Sequence, residues 1–148
     1  MHRHEALTGR GSGGREHFHL DLHTDVSQVG HVVEAVAACC FAGAKTSSRT
    51  RFRLCTVVAE AVANAMVYGN RNDPARRVSV DVELLPDQVV VAVTDEGEGF
   101  DPSTVLDLTD DPTLDDESGR GLFMIRRLAD AVVFNARGNT IWMTLPRL

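Results

Sequence analysis

The sequence predicts an α+β two-layer sandwich, with three helices on one face of a mixed, mostly antiparallel sheet. Residues 25–69 hold two stretches whose apolar residues recur at helical spacing. Residues 78–95 switch to the alternation of a strand hairpin. After a long Gly- and Asp-rich stretch the chain returns to one more helix and a closing hairpin.

Each element has a local cause. Residues 1–16 are rich in Gly, Ser and Arg with no apolar period and read as a flexible tail, leaving 17–148 as a single domain. His17 and His19 alternate with Phe18 and Leu20, the period of a strand, so both histidines belong on its polar face. All six histidines fall in the first 31 residues. A solvated strand face is favoured over a metal site there, because no Cys or carboxylate cluster completes one.

From Asp25, the residues Val26, Val29, Val33, Val36 and Cys40 recur at helical spacing until Gly43. Ser47 or Ser48 can cap a second helix that runs through Leu54, Val58, Ala61 and Ala65 to Gly69, ended by Asn70 and Asp73-Pro74. Val78, Val80, Val82 and Leu84 then alternate, Pro86-Asp87 turns the chain, and VVVAVTD is apolar enough for a strand buried on both faces. The stretch from Asp95 to Ser118 is too long for an ordinary connection, which marks it as functional or mobile. GLFMIRRLAD reads as the third helix, and residues 131–146 as a hairpin turned at Gly138-Asn139. No internal repeat is present.

Composition narrows the function. A chain of 148 residues with 43% hydrophobic content suits one domain. A net charge of -6 and a pI near 5.4 argue against direct nucleic-acid binding, which needs a basic face. No apolar run is long enough to span a bilayer and the first residues lack the apolar centre of a signal peptide, so the expectation is a cytoplasmic protein without membrane contact. Cys39, Cys40 and Cys55 lie within helical patterns and read as reduced core residues.

Three stretches carry chemistry. In VVAEAVANAMVYGN, Glu60 and Asn64 are four residues apart, an advance of about 400° on a helix. They therefore project from one face about 6 Å apart. For the pair alone, two solvated surface residues is an open alternative. In TDEGEGFDP, Asp95 follows an apolar strand, well sited to accept from an exocyclic amine, while Gly97 and Gly99 let a flat ring approach the backbone. An ordinary acidic turn remains open for this stretch; the order of residues does not match a calcium-binding loop. In SGRGLFMIRR, Gly119 and Gly121 open a helix whose first amides could seat a phosphate, with Arg120 adding charge. A plain Gly-rich helix start is equally open.

Taken in order, Glu-x-x-x-Asn on a helix, Asp-x-Gly-x-Gly after a strand and Gly-x-Gly opening a helix resemble the Bergerat-fold (GHKL) ATPases, the superfamily of gyrase, MutL and the histidine kinases. The likeness runs over residues 17–146. The small size, with EAVANAMVYGN and SGRGLFMIRRLAD, is most similar to the bacterial anti-sigma-factor serine/threonine kinases.

That resemblance implies ATP and Mg2+ as cofactors. Asn64 would hold the metal and Glu60 would be the general base that takes a proton from an attacking hydroxyl. Asp95 would bond the adenine amine, with Gly97 and Gly99 shaping the pocket. Gly119, Arg120, Gly121 and Leu122 would contact the nucleotide, and residues 101–118 would form a lid. Histidine-kinase domains of similar sequence carry Asn where this chain has Glu60, so Glu favours transfer to a hydroxyl. Tyr68 departs from the His common among such relatives, and the lid carries an acidic run from Asp107 to Glu117 that suits a solvated face. The implied partners are a sigma factor, a STAS-type anti-anti-sigma antagonist phosphorylated on Ser or Thr, and a second copy of the chain through the N-terminal strand and first helix. The alternative is a non-catalytic module whose binding surface is set by nucleotide.

Overall fold

The computed structural model describes residues 7–11, 15–42, 46–99 and 117–147. Its elements are β1 (Leu7–Gly11), β2 (Arg15–His23), a 3-10 turn (Val26–Gln28), α1 (Val29–Phe41), α2 (Ser48–Asn64), a π-helical turn (Ala65–Gly69), β3 (Arg77–Leu84), β4 (Gln88–Asp95), α3 (Glu117–Leu128), β5 (Ala131–Phe134) and β6 (Thr140–Pro146). The strands form one sheet in the order β1-β2-β3-β4-β6-β5, and every pairing among the described residues is antiparallel. The expected sandwich is present, and among the described residues it lacks the parallel pair that a mixed sheet would contain.

The two layers meet along alternating strand residues. Val78, Val80, Val82 and Leu84 of β3, Val89, Val91 and Val93 of β4, and Ile141, Met143 and Leu145 of β6 are buried together with Val32, Val36 and Cys40 of α1, Leu54, Val58 and Ala61 of α2, and Ile125 of α3. Full burial of each such valine, leucine, isoleucine or methionine is worth roughly 1.5–3 kcal/mol, so this seam holds the helices to the sheet. Burial also pushes the Cys40 thiol up to about 12, and all three cysteines are free thiols.

Local chemistry sets the ends. Asp25 caps the 3-10 turn by accepting from the Ser27 amide at 3.1 Å, and Ser47 caps α2 by accepting from the Thr50 amide at 3.1 Å. Arg53 of α2 donates to the Leu128 carbonyl at 2.8 Å and pairs with Asp130 at 3.0 Å, so the end of α3 is tied to the start of α2. On the outer face of β2, His19 bonds Asp81 at 2.7 Å and His17 stands 3.5 Å from the same carboxylate, which places both histidines on the polar side.

Several expectations need correction. Leu7–Gly11, read as part of the tail, pairs as the edge strand β1 with Leu7 opposite His19. Edge pairing is made by backbone groups and leaves no apolar period to read. Val26 is exposed while Val32 is buried, because the chain enters α1 through a 3-10 turn whose angular step differs from the α period. Burial in β4 alternates instead of covering both faces, leaving Val90 and Ala92 half-buried on the outer side of the sheet. The third helix begins at Glu117, four residues before Gly121, so Ser118 belongs to it.

Candidate functional site

The helix α2 runs down the middle of the helical layer and brings Glu60 and Asn64 against α3. The crossing is close: a Cβ placed on Gly121 would lie 2.8 Å from Glu60 Oε2 and 3.1 Å from Asn64 Nδ2. Only a residue without a side chain lets α3 pass here undisturbed. Asn64 Nδ2 is buried and finds no hydrogen-bond partner among the described residues. Such a group is normally paired, since leaving it unpaired costs about 1–3 kcal/mol. Which terminal atom of an asparagine is the oxygen follows from its partners, so Asn64 is free to present its carbonyl oxygen to a ligand.

At the other end, β4 stops at Asp95 beside the tip of the β5–β6 hairpin. The Asp95 amide donates to the Asn139 carbonyl at 3.0 Å, and Asn139 Nδ2 donates to the Asp95 carbonyl at 3.1 Å. The Gly97 amide donates to Asp95 Oδ1 at 2.8 Å, turning the chain back on itself. A Cβ on Gly69 would come within 2.3 Å of Asp95 Oδ2, and one on Gly97 within 2.0 Å of the Gly69 carbonyl oxygen. The π-helical turn, closed by the Asn70 amide on the Ala65 carbonyl at 2.8 Å, is what carries Gly69 to this point. Gly99 has φ +79°, with its missing Cβ pointing at the Arg137 carbonyl. Burial raises the pKa of the half-buried Asp95 carboxyl, opposed by the Gly97 amide and by the Arg137 and Arg76 guanidinium groups.

Between these ends lies a cavity of about 260 Å3. Ala61, Ala65, Val93, Leu122, Ile125, Phe134 and Ile141 give it apolar walls, Asn64 lines it from the crossing of α2 with α3 and Asp95 from the end of β4, and Tyr68, Arg71 and Glu98 line it as well. Thr140 also lines it, its hydroxyl 2.9 Å from that of Thr94 on the paired strand. An apolar slot of this kind, with a carboxylate at one end and an unpaired amide at the other, suits a flat amine-bearing ring joined to a polar, oxygen-rich group.

Of the residues singled out by sequence, Asn64, Asp95, Gly99 and Leu122 line this cavity. Glu60 and Gly121 meet beside it, and Gly97 shapes the turn that holds Asp95. Gly119 falls in the first turn of α3, where helix amides have no intrahelical acceptor. Gly121 falls one turn further on, where its service is close packing. Arg120 is an exposed residue of α3. The expected lid lies outside the described residues from 101 to 116. Arg71, Phe134, Asn139 and Thr140 reach the cavity without belonging to any motif: Thr140 arrives by its register opposite Thr94. Among the described residues, no group of three or more His, Cys, Asp or Glu side chains is placed to hold a metal ion.

A family model for the histidine kinase-like ATPase domain matches residues 21–145. The chain is 34% identical over 95 residues to an anti-sigma F factor of Oceanobacillus iheyensis, covering 60% of this chain and 64% of that relative. It is 33% identical over 95 residues to a serine-protein kinase RsbW of Staphylococcus aureus, covering 59% of this chain and 60% of that relative. An anti-sigma F factor of Geobacillus stearothermophilus is 33% identical over 94 residues, with 60% and 64% covered. The chain therefore spans less than two thirds of the length of the curated relatives it matches.

Proposed function

The chain belongs to the histidine kinase-like ATPase domain family, and from that premise we propose that it is an ATP-binding anti-sigma factor that phosphorylates a Ser or Thr of an antagonist protein. The single observation that carries this reading is the cavity with Asp95 at one end and the Glu60–Asn64–Gly121 crossing at the other.

The residues present fit the nucleotide. Asp95 Oδ1 is already taken by the Gly97 amide, and Oδ2, clear over Gly69, accepts the exocyclic amine of adenine. The apolar walls and the bare backbone at Gly97 and Gly99 flank the ring. Asn64, turned so that its side-chain carbonyl oxygen faces the cavity, would hold a Mg2+, which would supply charge screening for the phosphates. Gly119, Arg120 and Gly121, in the first turns of α3, would contact the phosphates, and Leu122 lines the cavity wall beside them. Glu60, next to Asn64, accepts the proton of the attacking hydroxyl as the phosphoryl group transfers.

The relatives' names, anti-sigma F factor and serine-protein kinase, support a sigma factor as one partner and a protein serine as a phosphoryl acceptor; on this reading the sigma factor is held in one nucleotide state and the acceptor is an anti-anti-sigma protein of the STAS type. A homodimer through the N-terminal strand and first helix would use the outer edge of β1. Sigma factors work in the cytoplasm, which is where this reading places the protein. Among the described residues, no helix is long and apolar enough to cross a membrane.

The test is capture of partners on the full tagged chain with Mg-ATP and with Mg-ADP, followed by mass spectrometry for phosphoserine and phosphothreonine. A sigma factor retained with ATP, and an antagonist phosphorylated by the wild type but not by Glu60→Gln, is the expected result. Equal phosphorylation by the variant, or identical partners in both nucleotides with no phosphorylation, would replace the kinase by a nucleotide-set binding module.

A further inference from the structure

Asp95 sits in a frame built by two asparagines whose side-chain nitrogen and oxygen atoms are each bonded to the protein. Asn70 is fully buried. Its Nδ2 donates to Thr24 Oγ1 at 2.8 Å and to the Arg77 carbonyl at 3.0 Å, and its Oδ1 accepts from the Glu96 amide at 2.9 Å. Asn139 stands on the other side. Its Nδ2 donates to the Asp95 carbonyl at 3.1 Å, and its Oδ1 accepts from Asn135 Nδ2 at 2.7 Å. The peptide that joins Asp95 to Glu96 is thus held at its C=O by Asn139 and at its N–H by Asn70.

The two anchors are independent of each other and rigid at their far ends. Asn70 is fixed through Thr24, whose hydroxyl donates to the Arg76 carbonyl at 2.8 Å, so it ties the loop after β2 and the start of β3 to the turn after β4. Asn139 is fixed through Asn135, whose Oδ1 gathers the amides of Gly138, Asn139 and Thr140 at 2.8, 3.0 and 3.1 Å. With its main chain gripped on both sides, Asp95 cannot swing about its backbone, and its carboxylate is aimed over Gly69. Recognition by a single carboxylate depends on that aim, because a hydrogen bond weakens steeply as its angle departs from linear.

We propose that Asn70 and Asn139 are positioning residues for nucleobase selection: although Asn139 also lines the cavity, both act through the main chain of Asp95 and so set the discrimination that Asp95 exerts between a base carrying an exocyclic amine and one carrying a carbonyl in its place. This rests on the reading of Asp95 as the adenine acceptor. The pair predicts something that a merely structural role does not. Loss of either anchor should reduce the preference for the amine-bearing base, while the phosphate end, which has no contact with either asparagine, keeps its share of the affinity.

The experiment measures dissociation constants of Mg-ATP and Mg-ITP by calorimetry on the full chain, since the two nucleotides share their phosphates and differ at the position facing Asp95. Wild type, Asn139→Ala, Asn70→Ala and the core variant Val80→Ala are compared at low temperature. The wild type should prefer ATP. Each asparagine variant should lower the ITP-to-ATP ratio of dissociation constants by about tenfold, the scale of one well-aimed hydrogen bond, while Val80→Ala loses stability and keeps the ratio. Should Asn70→Ala fail to fold, Asn139→Ala carries the test alone. Ratios in the asparagine variants within about twofold of wild type would overturn the proposal and leave the adenine reading standing. A wild type that binds ATP and ITP equally would overturn the adenine reading itself.

Discussion

The two ends of the cavity are built in opposite ways. At the Asp95 end the hydrogen bonds close within the protein: Asp95 is bonded to Asn139 through both its main-chain polar groups, its Oδ1 is taken by Gly97, and the next amide is taken by Asn70. At the Asn64 end the bonding is incomplete. A buried amide nitrogen has no partner among the described residues, and two helices cross with just enough room for a glycine. The difference fits the division of work proposed for the two ends. A closed frame holds one carboxylate in one direction, which is what base selection needs. An open, polar gap is stabilised only when something enters it, which is what phosphate and metal binding need.

That contrast can be broken at either end. The largest effect is expected from Glu60→Gln, which removes a proton acceptor from the open end without disturbing the closed one. Phosphoryl transfer to the antagonist should fall by about 10²–10⁴-fold with little change in ATP affinity, read by single-turnover transfer and by calorimetry. Next is Gly97→Ala, whose Cβ would strike the Gly69 carbonyl at 2.0 Å. Backbone cannot step aside as a side chain can, so the frame shifts and roughly 1–3 kcal/mol of stability is lost in urea unfolding, together with ATP binding. Gly121→Ala should behave differently. Its Cβ meets the movable ends of Glu60 and Asn64, and alanine favours a helix over glycine by about 1 kcal/mol. The melting temperature should therefore stay close to wild type while transfer drops, because the two displaced groups are those assigned to the chemistry.

The smallest effect is one of pH. Burial raises the Asp95 pKa from its ordinary value, which means that folding favours its protonated form. The contribution of Asp95 to the stability of the unliganded protein is then fully present below the unfolded-state pKa and is lost as pH climbs through the raised folded-state value. On the proposed reading, adenine would be bound by the ionised form, and the sign is opposite: ATP affinity should grow as pH rises through the same interval. Asp95→Asn should flatten both dependences, as followed by thermal melts with and without Mg-ATP.

The same contrast explains what the sequence could tell. Motif residues of the site were legible because each group is local: Glu60 and Asn64 share a helical face, and Asp95, Gly97 and Gly99 occupy consecutive turns of one loop. The alternation of β3 and the Ser47 cap were legible for the same reason. The frame around Asp95 was not. Asn139 and Thr140 reach it through the register of β4 against β6, and Asn70 reaches it through a π-helical turn, so neither contact leaves a spacing to read. β1 was hidden because a Gly- and Thr-bearing edge pairs through its backbone. The half-exposed outer face of β4 was hidden because Val90 and Ala92 are apolar whether or not something covers them. The start of α3 at Glu117 was hidden by the polar residues that compose its first turn.

The most direct test of the division of labour is a paired measurement of Mg-ATP affinity and of phosphoryl transfer at saturating ATP, made on Asp95→Asn and Glu60→Gln side by side. Asp95→Asn should lose affinity and keep its transfer rate once saturated, while Glu60→Gln should keep affinity and lose transfer. If both variants lose both properties together, the two ends of the cavity do not act separately and the account is contradicted.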